Sequence, residues 1–145
     1  MPTYKTKVVW TGEHWGNLTC SNGPQMKFSA PPALHGHPNV MTPEDAFVGA
    51  LNMCFQMMFL WTTEKYKIDL ISYESEAEGF VEDLIDRTSI FSKIILRPKI
   101  NARNCNEKRV TKALNSALKY SLVAQSIKTK VIVEPQIIIE RKDYS

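Results

Sequence analysis

A chain of 145 residues has room for one domain with its own core, spanning 1–145, and not for two comfortable ones. Its 43% hydrophobic and 23% charged residues describe an ordinary globular protein. The net charge of +3 comes with eighteen Lys and Arg spread from Lys5 to Lys142, without a dense block, which argues against a nucleic-acid partner. Met1-Pro2-Thr3-Tyr4-Lys5 lacks the apolar core of a secretory signal. The oiliest run, Ala46 to Trp61, is interrupted by Asn52 and Gln56 and falls short of the ~20 residues a bilayer requires. No membrane span and a cytoplasmic location are therefore expected. Cys20, Cys54 and Cys105 include no CxxC, so neither a disulfide framework nor a structural zinc site is expected.

In chain order, residues 3–10 carry Val8, Val9 and Trp10 and read as a first strand. Thr11-Gly12-Glu13-His14 forms a turn, Trp15 to Cys20 the hairpin partner, and Ser21-Asn22-Gly23-Pro24 a second turn before a strand over Gln25 to Ser29. Three prolines and a glycine between Ala30 and Asn39 exclude regular structure there and leave one long loop.

Thr42 then offers an N-cap, Pro43 suits the first helical position, and Glu44 and Asp45 complement the helix dipole. The helix should run from 43 to about 65. Its apolar residues occupy nearly every side, the mark of a buried helix. In a chain this small that implies a sheet on one side and a second subunit on the other, hence a homodimer.

Ile68 to Phe80 and Ile90 to Ile100 read as two long strands, separated by Glu82-Asp83 and Asp86-Arg87. Asn104 or Asn106 can cap a helix over 107–121, with Val110, Ala113, Leu114, Ala117, Leu118 and Leu122 at helical spacing. A short helical piece over Ser121 to Ile127 and one closing strand over Lys130 to Glu140 complete the chain, with Pro135 at an edge or bulge and a polar tail from Arg141 to Ser145. The order β-β-β-α-β-β-α-β is an α+β pattern.

Cys54, in the middle of the long apolar helix, is either a small core residue or a shielded nucleophile. A nucleophile acts as the thiolate, and burial alone opposes that form. Glu44 by itself reads as a first-turn partner of the dipole. Ten residues of helix, about 15 Å of rise, separate the two, so they cannot touch within one chain. Facing helices in a dimer could bring one subunit's Glu44 to the other's Cys54. His35 and His37 read as surface residues, since two imidazoles do not make a metal site. Met53, Met57 and Met58 read as core and dimer packing rather than as the lining of a pocket. Cys20 and Cys105 read as structural.

Several of these segments together resemble a known family. Phe28-Ser29-Ala30-Pro31-Pro32, then Thr42-Pro43-Glu44-Asp45-Ala46-Phe47, then Cys54 ten residues after Glu44, look like the OsmC/Ohr family of osmotically inducible and organic hydroperoxide resistance proteins. Ser92 to Ile100 looks like its following strand, and Asn115 to Ile127 lies where the family carries its second cysteine segment. The resemblance implies an OsmC-like fold in an intertwined homodimer. It also implies thiol-dependent reduction of organic hydroperoxides without metal, flavin or haem, with a hydroperoxide and a thiol reductant as small-molecule partners. Cys54 matches the peroxidatic cysteine and Glu44 the active-site glutamate.

Two departures follow. Ser121 stands at the resolving position, just after Lys119-Tyr120, and serine cannot close a disulfide. The arginine of the family's N-terminal hairpin has no counterpart between Thr11 and Thr19; His14, Arg87, Arg97 and Arg103 are the substitutes to consider. The expected activity is thus a one-cysteine peroxidase whose sulfenic acid is reduced by an external thiol. The alternative is a non-catalytic OsmC-like dimer that binds an apolar ligand or serves as a structural or interaction protein.

Overall fold

β-branched and aromatic residues between Thr6 and Ser29 build a three-stranded antiparallel sheet in the computed structural model, which describes residues 1–141. The polar tail expected beyond Arg141 lies outside the described residues. The strands are β1 (Thr6–Trp10), β2 (Trp15–Cys20) and β3 (Gln25–Ser29), in that order across the sheet. β1 begins at Thr6 rather than at residue 3 because β2, its partner, ends at Cys20 opposite Thr6. Gly23 takes a φ of +115° in the β2–β3 turn, a conformation glycine adopts without a Cβ clash.

The Pro-rich stretch is not wholly irregular. Pro32–Leu34 close a single 3₁₀ turn, capped by His35 in the left-handed region at φ 68°. Gly36 then lies so close to the chain that a Cβ built on it would meet the Ala30 carbonyl oxygen at 1.6 Å. Ser29 is the anchor of this loop. Its hydroxyl donates to the His14 carbonyl at 2.6 Å and accepts from the His37 amide at 3.0 Å. His37 is not the surface residue expected from the sequence: its ring stacks on Trp15 at 3.9 Å between centroids. Its enclosed Nε2 sits 3.4 Å from a Glu13 carboxylate oxygen, an ion-pair distance without hydrogen-bond geometry.

Helix α1 spans Pro43–Lys65. Thr42 Oγ1 accepts from the Asp45 amide at 3.1 Å, and Asp45 Oδ2 accepts from the Thr42 amide at 3.1 Å, a reciprocal capping box. Met1–Phe47 and the residues from Val48 onward form two compact units. Within the second unit α1 buries Leu51, Phe55, Phe59, Thr62 and Thr63, while Met53, Met57 and Trp61 stay exposed. The helix is therefore apolar all round but covered on one side only. Its bounds are those expected from the sequence, and at 23 residues, with a stretch of mean hydropathy 1.2, it is by length and composition also long and apolar enough to cross a membrane. The completely buried Leu51, Phe55 and Phe59 place one face of the helix in the core.

The second sheet is built on β5 (Ser89–Arg103), which pairs antiparallel along its whole length with β4 (Asp69–Asp83). Both strands run further than the apolar alternation indicates, because ladder pairing carries polar residues such as Asp83 and Ser89 with it. α2 (Glu107–Tyr120) is capped by Asn106, whose Oδ1 accepts from the Arg109 amide at 2.9 Å. It buries Val110, Ala113, Leu114 and Ala117, the spacing the sequence displays. α3 (Leu122–Ser126) follows.

The closing strand differs from expectation by being two strands. β6 (Lys130–Val133) and β7 (Gln136–Glu140) both run parallel to β5, against Lys93–Leu96 and Lys99–Arg103 respectively. The Glu134 amide still donates to the Leu96 carbonyl at 2.8 Å, but Pro135 has no N–H to continue the ladder. The element order is thus β-β-β-α-β-β-α-α-β-β, still α+β.

Candidate thiol site at Cys54

Cys54 lies half-buried in the fourth turn of α1, one residue before the fully buried Phe55. α1 is held against its surroundings by specific polar contacts. Thr62 Oγ1 lies 2.8 Å from the Phe59 carbonyl and 3.1 Å from the Ala113 carbonyl on α2. Asn52 Nδ2 donates to the Ser75 carbonyl on β4 at 3.0 Å.

α2 stops at Tyr120 because Ser121 leaves the helical region, at φ −70° and ψ 113°. That conformation makes Ser121 the N-cap of α3, with its hydroxyl accepting from the Ala124 amide at 3.2 Å. The same hydroxyl donates to Cys54 Sγ at 3.1 Å. Ser121 is completely buried. The two residues singled out in the sequence 67 positions apart are therefore in contact. The dual use of Ser121, as helix cap and as donor to sulfur, has no signature in the sequence beyond a serine at a helix boundary.

The remaining singled-out residues take other places. Glu44 sits half-buried in the first turn of α1, ten residues before Cys54 on the same helix. In the N-terminal unit it borders a largely apolar cleft of about 510 Å³ lined by Trp10, Trp15, Pro31 and Leu34 among others. Cys20 pairs with Thr6 at the end of β2. Cys105 precedes the N-cap of α2, and burial pushes its thiol above the ordinary range, with Arg109 opposing and Asp69 adding to the shift. Fourteen residues of α2, about 21 Å of helix, separate Cys105 from Ser121 and hence from Cys54.

Two of the three arginines offered as substitutes for the missing hairpin cation are engaged on the sheet. Arg97 pairs with Glu78 at 2.8 Å and Glu134 at 3.6 Å, and Arg103 with Asp69 at 3.1 Å. Arg87 lies in the exposed β4–β5 turn at φ 69°. His14 Nδ1 is 2.5 Å from the His35 carbonyl oxygen. Among the described residues no three His, Cys, Asp or Glu side chains gather as metal ligands. The arrangement at Cys54 presents a neutral hydroxyl donor to the sulfur, and Ser121 cannot trap an oxidised Cys54 as a disulfide.

The sequence profile described as OsmC-like protein matches residues 36–136. No curated protein matches the chain. Among solved structures the chain is similar to an OsmC-like protein of unknown function from Vibrio cholerae, at 22% identity and a TM-score of 0.85, covering 95% of this chain and 100% of that one. It is also similar to an organic hydroperoxide resistance protein OsmC from Legionella pneumophila, at 17% identity and a TM-score of 0.71, covering 94% and 97%. The organic hydroperoxide resistance protein OhrB of Bacillus subtilis aligns at 17% identity and a TM-score of 0.64, covering 94% and 98%. These likenesses show the fold.

Proposed function

The chain belongs to the OsmC-like protein family, and from that premise we propose that it reduces organic hydroperoxides through Cys54, with an external thiol as reductant. The observation that carries this reading is the buried Ser121 hydroxyl donating to Cys54 Sγ at 3.1 Å. The Ser121 hydroxyl is placed to donate to the sulfur that attacks the peroxide.

The steps balance without a bound cofactor. The Cys54 thiolate attacks one peroxide oxygen, the O–O bond breaks, and the alcohol leaves with a proton, so that Cys54 becomes a sulfenic acid. A first external thiol condenses with the sulfenic acid and releases water. A second displaces Cys54 from the mixed disulfide and restores the thiol; the two external thiols have supplied the two electrons and leave as a small disulfide. A reducing cytoplasm would supply such thiols. Glu44 enters as a carboxylate contributed across a dimer, and the apolar cleft it borders suits a substrate with a hydrocarbon body.

Hydroperoxide consumption in the presence of a dithiol tests the reading. Wild type is expected to turn over and Cys54→Ser to lose at least a hundredfold in rate. Equal rates in the two, or no turnover by wild type across several peroxides and thiols, would sink the enzyme. That second outcome would favour the apolar-ligand reading. The Glu44 cleft and a second apolar cleft of about 410 Å³, bordered by Leu18, Phe28 and Met41, support it.

The same family reading includes a homodimer, and the exposed stripe of α1 supports it. Met53, Met57 and Trp61 recur every four residues and are 66%, 61% and 47% exposed. Large apolar side chains aligned on one helix face are the composition of an interface. Sedimentation velocity is expected to show a dimer that Met57→Lys converts toward monomer. A wild type that stays monomeric at high concentration removes the dimer from the proposal.

A further inference from the structure

We propose that the cleft between the end of α1 and the first turns of α2 binds a small polyanion with adjacent phosphate groups, of the size and charge of a di- or triphosphate. The site is separate from Cys54 and its chemistry does not depend on the hydroperoxide reading. The cleft has a volume of about 740 Å³, enough for a nucleotide-sized molecule. Lys65 and Lys67 enter it from α1 and the loop that follows, and Lys108, Arg109 and Lys112 from α2. No acidic side chain lines it; Glu64 and Glu107, neighbours in sequence, are absent from its walls. None of the five cations forms a salt bridge among the described residues.

Tyr66 lines the cleft among these cations. Lys65 Nζ lies 5.7 Å and Lys112 Nζ 5.3 Å from the centroid of its ring. The phenol oxygen sits 3.1 Å from Ser116 Oγ. That hydrogen bond holds the Tyr66 phenol below its ordinary range, and the ammonium groups of Lys65, Lys112 and Lys119 push it the same way, as a positive local field requires. The α2 N-terminus, with Asn106 on the cleft wall, adds the positive end of a fourteen-residue helix.

Like charges gathered without counter-ions oppose the compact state. A ligand with several negative charges within a few ångströms of each other relieves that repulsion and exploits it at once. Arginine and lysine side by side suit phosphate: Arg109 can grip two oxygens, and each lysine acts as a point charge. The concave outline and the scatter of the other basic residues along the chain favour a small ligand over a nucleic-acid track.

Lys67 supplies a clean probe. It occupies the left-handed position of the motif that ends α1, at φ 53°, with the Ile68 amide donating to Thr63 at 2.8 Å and the Lys67 amide to Glu64 at 3.2 Å. Glycine is the residue this position favours, so Lys67→Gly removes a cation without harming the fold. Titration calorimetry with tripolyphosphate is expected to show saturable binding, one ligand per chain, that weakens as salt rises. Lys67→Gly should weaken it several-fold at an unchanged or higher melting temperature. Lys108→Glu with Lys112→Glu should weaken it more than tenfold, with hydroperoxide turnover unaltered. The proposal is overturned if wild type shows no saturable binding at low salt, or if the charge reversal leaves affinity intact. It is equally overturned if orthophosphate binds as well as tripolyphosphate, or if a single-stranded oligonucleotide or anionic vesicles bind more tightly through the same residues.

Discussion

Oxidation of a Ser121→Cys variant is expected to bridge Cys54 to the introduced thiol and raise the unfolding temperature of the protein. The native Oγ–Sγ separation is 3.1 Å, and a disulfide needs about 2.0 Å, a gap that small side-chain rotations close. The bridged positions are 67 residues apart. Closing a loop of that length in the unfolded chain stabilises the fold by about 4 kcal/mol in the chain-entropy account. For a domain of this size that is a gain of roughly 10 °C. In the reduced variant the sign reverses. The Ser121 hydroxyl caps α3 through the Ala124 amide, and a thiol is a poor substitute, so about 1 kcal/mol is lost. Peptide mass spectrometry of the non-reduced protein, with melting curves in the presence and absence of reductant, reads both effects. Thiols that stay free at both Cys54 and position 121 under oxidant, read apart from Cys20 and Cys105, would mean that the two positions do not meet as described. A bridged variant that also turns over hydroperoxide with a dithiol would in addition return the second thiol to the proposed reaction.

Phe59→Ala is expected to cost about 3–5 kcal/mol, the range for emptying a large aromatic site in a core. Phe59 is completely buried on the inner face of α1, with its ring 5.3 Å from that of Tyr73 on β4. Removing it opens a void beside the Tyr73 ring, whose phenol burial already pushes above its ordinary range, with Ser75 opposing the shift. Domains of this size have about 5–15 kcal/mol in total, so the variant should unfold at markedly lower urea concentration. Equilibrium denaturation measures the loss. A cost under about 1 kcal/mol would contradict the packing of α1 on β4, since exposed sites alone tolerate such truncation so cheaply.

Where local chemistry decides, the chain was readable. Turn residues bracket Trp15–Cys20 and Gln25–Ser29 so tightly that both strands have the expected ends. Thr42-Pro43-Glu44-Asp45 carries a complete helix start, and Val110, Ala113, Leu114 and Ala117 mark the buried face of α2 at a spacing only a helix can use. Reading failed where the outcome depends on a distant partner. Pro135 lies in a run of strand-forming residues, and its effect appears only when Lys130 to Glu140 pair with β5 and the missing N–H splits them into two strands. His37, in a loop of prolines and glycine, is ordinary until β2 places Trp15 beneath its ring.

The candidate sites divide the same way. Residue order alone singled out Cys54, Glu44 and Ser121, because spacing along the chain is a one-dimensional property that a family pattern preserves. The contact of Ser121 with Cys54, the double use of that hydroxyl, and the convergence of Lys65 and Lys67 with Lys108, Arg109 and Lys112 belong to the tertiary structure. Hydrogen bonds act over about 3 Å and screened charges over about 8 Å. Neither has meaning between residues tens of positions apart until packing of apolar faces brings their helices together. The composition and periodicity of this chain determine where most of its helices and strands form and which of their faces are apolar; pairing with β5 decides how Lys130 to Glu140 divides, and only the packing of α1 with α2 decides which side chains share a site.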